Sequence, residues 1–169
     1  MKTVVVLAMH GTPPKGFPED EISELFRLHS AIERMPLDAD NPMKARYQEL
    51  DSKIRSFKRT PSNDPYWDAS SRLAEALSKS LRWEVIVGFN EFCAPSIETA
   101  LDEAASGNPD RIIVVTPMMT PGGEHSEIDI PKAIEKSKER SPNIDIIYAW
   151  PFDVSQVADF LALQIKNHL

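Results

Sequence analysis

Two histidines and one glutamate carry the clearest chemical potential in this chain. His10 ends the run TVVVLAMH, Glu91 lies in FNEFCAPS after WEVIVGF, and His125 lies in GGEHSEIDIP after RIIVVTPMM. Taken singly, a histidine after a strand is most simply a hydrogen-bonded structural residue. Three such groups at equivalent places past three apolar runs offer two imidazoles and a carboxylate. That set suits a first-row divalent metal with coordination positions left open. Zinc hydrolases use comparable sets, so the ligand types alone do not name a reaction. Near His125, Asp129 reads as a helix cap and Glu127 as a favourable charge at a helix start. His29 and His168 have no evident partner in sequence and read as surface or packing residues.

The elements that must position the three residues follow from periodicity. Four runs rich in β-branched residues, Thr3 to Met9, Trp83 to Phe89, Arg111 to Met119 and Ile144 to Trp150, read as strands. The first and third are nearly continuous in apolar residues, as central parallel strands covered on both faces require. Between them lie helical patterns: Leu73, Leu77 and Leu81; Ile97, Leu101 and Ala104; DIPKAIEKSKER, halted by Ser141-Pro142; and finally Val154, Val157, Ala158, Leu161 and Ile165. This alternation predicts a three-layer α/β domain with a mainly parallel sheet. Ligands in such sheets bind outside the carboxyl ends of the strands, so His10, Glu91 and His125 fall on one edge.

One stretch departs from the βαβ rhythm. Between about residues 18 and 60, two further amphipathic patterns (Ile22, Leu25, Phe26, Ile32; then Met43, Tyr47, Leu50, Ile54, Phe57) predict a helical hairpin joined by MPLDADNP. It would be inserted over the binding edge as a lid or a dimer arm.

Composition narrows the function. A chain of 169 residues holds one domain comfortably, here read as 1–169, and 41% hydrophobic with 27% charged residues describes an ordinary soluble globular protein. The net charge of -7 argues against nucleic acid as a partner. The single cysteine, Cys93, forms no internal disulfide and favours a cytoplasmic home. The N-terminal MKTVVVLAMHG reads as a strand rather than a signal peptide, and no apolar run approaches a membrane span. There is no G-x-x-x-x-G-K-[ST] loop and no G-x-G-x-x-G after a strand, so no nucleotide is expected. A phosphohistidine mutase would want an arginine where Met9 stands. A receiver-like phosphorylation site would want an aspartate where His10 stands.

HGT after the first strand, NEFCAPSIETAL after the second and GGEHSEIDIPKAIEKS after the third resemble the class II tetrapyrrole metal chelatases, in particular the CbiX-type sirohydrochlorin cobaltochelatases and ferrochelatases. The likeness covers Thr3 to Gly11 and roughly Tyr66 to the end. It implies a chelatase-like, flavodoxin-like α/β/α fold with a four-stranded sheet and the helical hairpin as an insertion. It implies ATP-independent insertion of a divalent metal, Co²⁺, Fe²⁺ or Ni²⁺, into sirohydrochlorin or a related cyclic tetrapyrrole, the metal being a substrate. His10 and His125 would be the metal-binding, proton-accepting histidines, and Glu91 the site glutamate. The short members of the family are homodimers, so a homodimer is expected. Met9 and Glu124 depart from the family pattern, and Glu124 would be an extra oxygen ligand if it joined the site.

The basic helix from Met43 to Arg59 suggests a place for the substrate's carboxylates, with Lys53 and Arg55 as the contacts. The competing reading is a basic face that balances an acidic neighbour. Two other functions compete with the chelatase: a non-catalytic module that carries or senses a metal or tetrapyrrole, and a metal-dependent hydrolase.

Overall fold

A computed structural model describes residues 1–34 and 41–169. Most of the expected MPLDADNP connection, residues 35–40, lies outside the described residues. Strand β1 (Thr3–Met9) is buried along its whole length, as its unbroken apolar run requires. It pairs in parallel with β2 (Glu84–Phe89) on one side and β3 (Arg111–Val115) on the other. Strand β4 (Asp145–Tyr148) pairs in parallel with β3, giving the order β2-β1-β3-β4. Met9 lies opposite Phe89, so His10 and the segment holding Glu91 leave the sheet side by side. Strand β3 stops short of the expected Met119, because Pro117 has no N–H to offer a neighbouring strand.

Two helices cover one sheet face. Helix α4 (Ile97–Ser106), capped by the Ser96 hydroxyl accepting from Thr99 N–H, buries Ile97, Ala100, Leu101 and Ala104. Helix α5 (Ile130–Arg140) buries Ile130, Ala133 and Ile134. Both pack on Val4, Val6, Ile112, Val114 and Ile146 of the sheet.

The other face is covered less completely. Helix α3 (Pro65–Leu81) is capped by Asp64, whose carboxylate accepts from Trp67 N–H at 2.9 Å. Its buried residues are Ser70 and Ala74, and not the leucine face that the spacing suggests. Leu73 and Leu77 instead line an open apolar groove with Leu7, Val115, Val157 and Phe160. Helix α6 (Val154–Lys166) forms where its pattern predicts, yet none of its residues is buried. Its stripe has no partner among the described residues dense enough to bury it.

The expected hairpin is present between β1 and α3, as α1 (Glu19–Arg34) and α2 (Pro42–Ser56). It has its own core of Phe17, Leu25, Leu28, Leu50 and Ile54, into which Phe92, the residue after Glu91, also inserts. Among the described residues no helix is long and apolar enough to cross a membrane.

Candidate metal centre

His10, Glu91 and His125 meet at the carboxyl edge of the sheet. The two imidazole rings lie 4.6 Å apart between centroids, nearly perpendicular at 85°. Glu91 Oε2 is 3.8 Å from His10 Nδ1 and 3.9 Å from His125 Nε2. One ligand atom from each residue falls within 4.8 Å of the others, a span that one metal ion can bridge. Among the described residues this is the only group of three or more such side chains so placed. Glu124 is exposed and stays outside it.

Each candidate ligand is held by a different device. His125 opens a single π-helical turn, His125–Asp129, that runs directly into α5. The Tyr148 hydroxyl of β4 donates to Ser126 O at 3.0 Å and ties that turn to the sheet; burial pushes the Tyr148 phenol up to about 12. The His125 ring donates through Nδ1–H to Asp129 Oδ2 at 2.7 Å, which leaves the Nε2 lone pair facing Glu91. A carboxylate behind a histidine in this way fixes its tautomer and raises its basicity as a ligand. Asp129 therefore does not cap α5, contrary to the expectation from sequence; the helix continues back through the π turn and the carboxylate turns to His125. The i, i+4 spacing of the two residues was the available signal.

His10 is about half exposed. Its Nδ1 lies 3.0 Å from Gly11 O, an acceptor only, so a neutral ring keeps its proton there and its lone pair on Nε2. Its backbone N–H donates to Tyr66 Oη at 3.2 Å. Burial pushes the Tyr66 phenol up, which keeps that oxygen a neutral acceptor. Gly11 adopts φ of +105°, and a Cβ there would stand 1.9 Å from the Glu91 carbonyl oxygen. The two loops that carry His10 and Glu91 thus touch backbone to backbone, and Glu91 N–H donates to His10 O at 2.9 Å. Cys93, close by, is fully buried, and burial pushes its thiol up, so it packs as a neutral side chain.

A cavity of about 480 Å³ opens from Glu91 and His125. One wall comes from α4 and α5, with Glu98, Lys132 and Lys136; the opposite wall is the hairpin, with His29, Tyr47, Asp51 and Arg55. His29, which sequence alone left as a surface or packing residue, lies against Tyr47 with ring centroids 5.7 Å apart.

Lys53 and Arg55, expected to meet substrate carboxylates, are engaged elsewhere. Lys53 pairs with Glu21 of α1 at 2.6 Å and is not a cavity residue. Arg46 likewise bonds Glu24 at 2.8 Å, so this part of α2 is a basic face set against an acidic neighbour. Arg55 does line the cavity, but its guanidinium donates to Asp51 at 2.8 Å, Cys93 O at 2.7 Å and Asn90 O at 2.8 Å.

Comparison with known proteins matches residues 62–167 to the sequence pattern of the CbiX family. The chain belongs to the CbiX family. Glu91 and His125 fall within the CbiX match, whereas His10 and the hairpin precede it. A sirohydrochlorin cobaltochelatase of Priestia megaterium is 32% identical over 104 residues, which are 62% of this chain and 29% of that protein. A sirohydrochlorin cobaltochelatase of Sulfurisphaera tokodaii is 37% identical over 83 residues, 48% of this chain and 65% of that protein. The chain therefore spans less than a third of the length of the Priestia relative. The fold agrees with that of a CbiX protein of Marinobacter aquaeolei, described as a putative cobalamin biosynthesis protein. That structure has a TM-score of 0.57 at 15% identity and covers 99% of this chain and 95% of its own.

Proposed function

We propose that residues 1–169 act as one chelatase domain that inserts a divalent metal ion, Co²⁺, Fe²⁺ or Ni²⁺, into sirohydrochlorin or a closely related cyclic tetrapyrrole without ATP. The observation that carries this reading is the convergence of His10, Glu91 and His125, one ligand atom each within 4.8 Å, beside a cavity of about 480 Å³. The names of the relatives agree with it.

The chemistry follows from the donor set. Metal insertion removes two pyrrole N–H protons and replaces three protein donors by four macrocycle nitrogens. One ring nitrogen of His10, His125 Nε2 and a Glu91 oxygen would hold the incoming ion, and three protein ligands leave positions for the first macrocycle nitrogens. As each protein donor gives up the metal, its lone pair is freed to accept a proton, so the same atoms serve as ligand and then base. Asp129 serves this exchange by holding the His125 ring so that Nε2 is the nitrogen presented to the ion. Of the two exposed lysines in the cavity wall, Lys136 is paired with Glu98, whereas the Lys132 side chain has no hydrogen bond or ion pair among the described residues, and we assign to it a carboxylate of the macrocycle. The homodimer belongs to the same proposal, with the apolar groove between α3 and α6 as the surface a second copy would bury.

The deciding experiment mixes the protein with sirohydrochlorin and each metal under anaerobic conditions and follows the visible spectrum. Acceleration over the spontaneous reaction, abolished in His10→Ala and His125→Ala, is expected. Tetrapyrrole binding without acceleration would replace the chelatase by a carrier or sensor.

A further inference from the structure

Glu91 sits in a loop with no regular secondary structure, Asn90 to Cys93, and every carbonyl of that loop is engaged. The Glu91 carbonyl accepts from Cys93 N–H at 2.6 Å. The other three accept from guanidinium groups supplied by the hairpin and the turn after it. Arg55 straddles the loop, donating from Nη2 to Asn90 O at 2.8 Å and from Nη1 to Cys93 O at 2.7 Å. Arg59 donates to Phe92 O, and Phe92 holds a positive φ of 57° that an unsupported loop would relax. Arg59 also reaches Thr12 O at 3.0 Å, two residues past His10, and Ile54 O at 3.0 Å at the end of α2.

The second guanidinium is anchored from beneath. Arg59 Nη1 lies 2.6 Å from Asp64 Oδ2, with the two side chains 5% and 0% exposed. The other Asp64 oxygen accepts from the Thr12 hydroxyl at 3.1 Å and from the Trp67 N–H that starts α3. Two arginines therefore tie together the loop of His10, the loop of Glu91 and the hairpin. Both lie before residue 62, outside the part of the chain that matches the CbiX family.

We propose that Arg55 and Arg59 are positioning residues that set Glu91, and through Thr12 also His10, at the separation a metal ion needs. The inference rests on the reading of His10, Glu91 and His125 as metal ligands. Metal–ligand distances are tolerated only within about 0.2 Å, so a loop left to relax loses its ligand before the protein loses its fold. An arginine is required at position 55 because its planar fork presents two donors to two carbonyls at once, whereas a lysine offers a single point of charge.

The test titrates the full chain with Co²⁺ alone, read by calorimetry and by the visible d–d bands, which report coordination geometry. Arg55→Met is expected to weaken Co²⁺ binding by about 10- to 100-fold and to shift the bands, as losing the support of a metal ligand does. Arg55→Lys recovers only part of that loss, and the melting temperature stays close to wild type. Arg46→Met, on the same helix but bonded to Glu24 and Glu49, serves as the control and leaves Co²⁺ binding unchanged. Arg59→Met strands the buried Asp64, so it is made together with Asp64→Asn and compared with Asp64→Asn alone. If wild type binds Co²⁺ and Arg55→Met binds it equally with the same spectrum, the positioning role is overturned while the metal site stands. If wild type itself fails to bind Co²⁺, the metal site and the inference fall together.

Discussion

The α1–α2 hairpin and helix α6 both announce themselves in sequence by amphipathic stripes, and they meet opposite fates. The hairpin encloses Leu50 and Ile54 at 1% and 0% exposure and is tied to the candidate metal centre by two arginines. Helix α6 leaves Phe160 and Leu163 more than half exposed. A stripe predicts that a helix forms; it does not say what will cover it. In the hairpin the cover is the second helix and Phe92, and fixed polar contacts lock the pair to the loops that follow β1 and β2. Helix α6 lacks both.

That contrast is open to measurement. Ile54→Ala in the hairpin is expected to lower the free energy of unfolding by about 2–5 kcal/mol, since a fully buried side chain leaves a cavity. A loss below about 1 kcal/mol in urea titration would show that the hairpin unfolds apart from the sheet. At the site the hairpin walls, Asp129→Asn keeps the shape but alters the partner of His125 Nδ1. Co²⁺ affinity should fall by about 10- to 100-fold in calorimetry, and an unchanged affinity would remove the orienting role of Asp129.

The caps sharpen the comparison further. Helix α2 is capped by the neutral Asn41, whereas α6 is capped by Asp153. Hydrogen bonds from the Ser155 side chain and from the backbone of Gln156 and Ser155 hold the Asp153 carboxyl below its usual range. A folded value below the unfolded 3.8 means that the cap stabilises α6 above that pH and that this contribution is lost as pH falls through the depressed value. Far-UV circular dichroism on acidification should show helix loss that Asp153→Asn largely abolishes; identical acid profiles would sink the assignment. At neutral pH, Asp153→Ala should lower the helix signal of α6 by removing the oxygen that accepts from Ser155 and Gln156 N–H.

The smallest effect is expected on α6 itself. Phe160→Ser should change stability by no more than about 0.5 kcal/mol if the helix is uncovered. A larger loss, with a melting temperature that depends on protein concentration, would show that a second copy covers the groove.

Much of the fold was legible in sequence because strand and helix periods are local signals. The four apolar runs became four parallel strands, with β1 at its expected boundaries, and the three candidate ligands converged because topology alone places their loops on one edge. What escaped the sequence was pairing over long range. Nothing local in KIRSFKRTPSND tells Arg55 and Arg59 apart from Lys53, since each is a cation on or beside a basic helix; only the packed structure separates loop clamp from surface ion pair. Leu73, Leu77 and Leu81 marked helix α3 correctly, but not which of its faces meets the sheet. Their spacing marks one helix face, and the sheet beneath α3 received the Ser70 and Ala74 face, where small residues allow close approach.

Gly11 carries a consequence for how this protein can change over generations. Its missing Cβ leaves room for the Glu91 carbonyl, 1.9 Å from where that atom would be. Even alanine would push apart the two loops whose side chains are proposed to share one ion. A residue with no functional group is thereby as unforgiving as a ligand, and a saturation library selected for metal capture would tolerate at position 11 as little as at position 10.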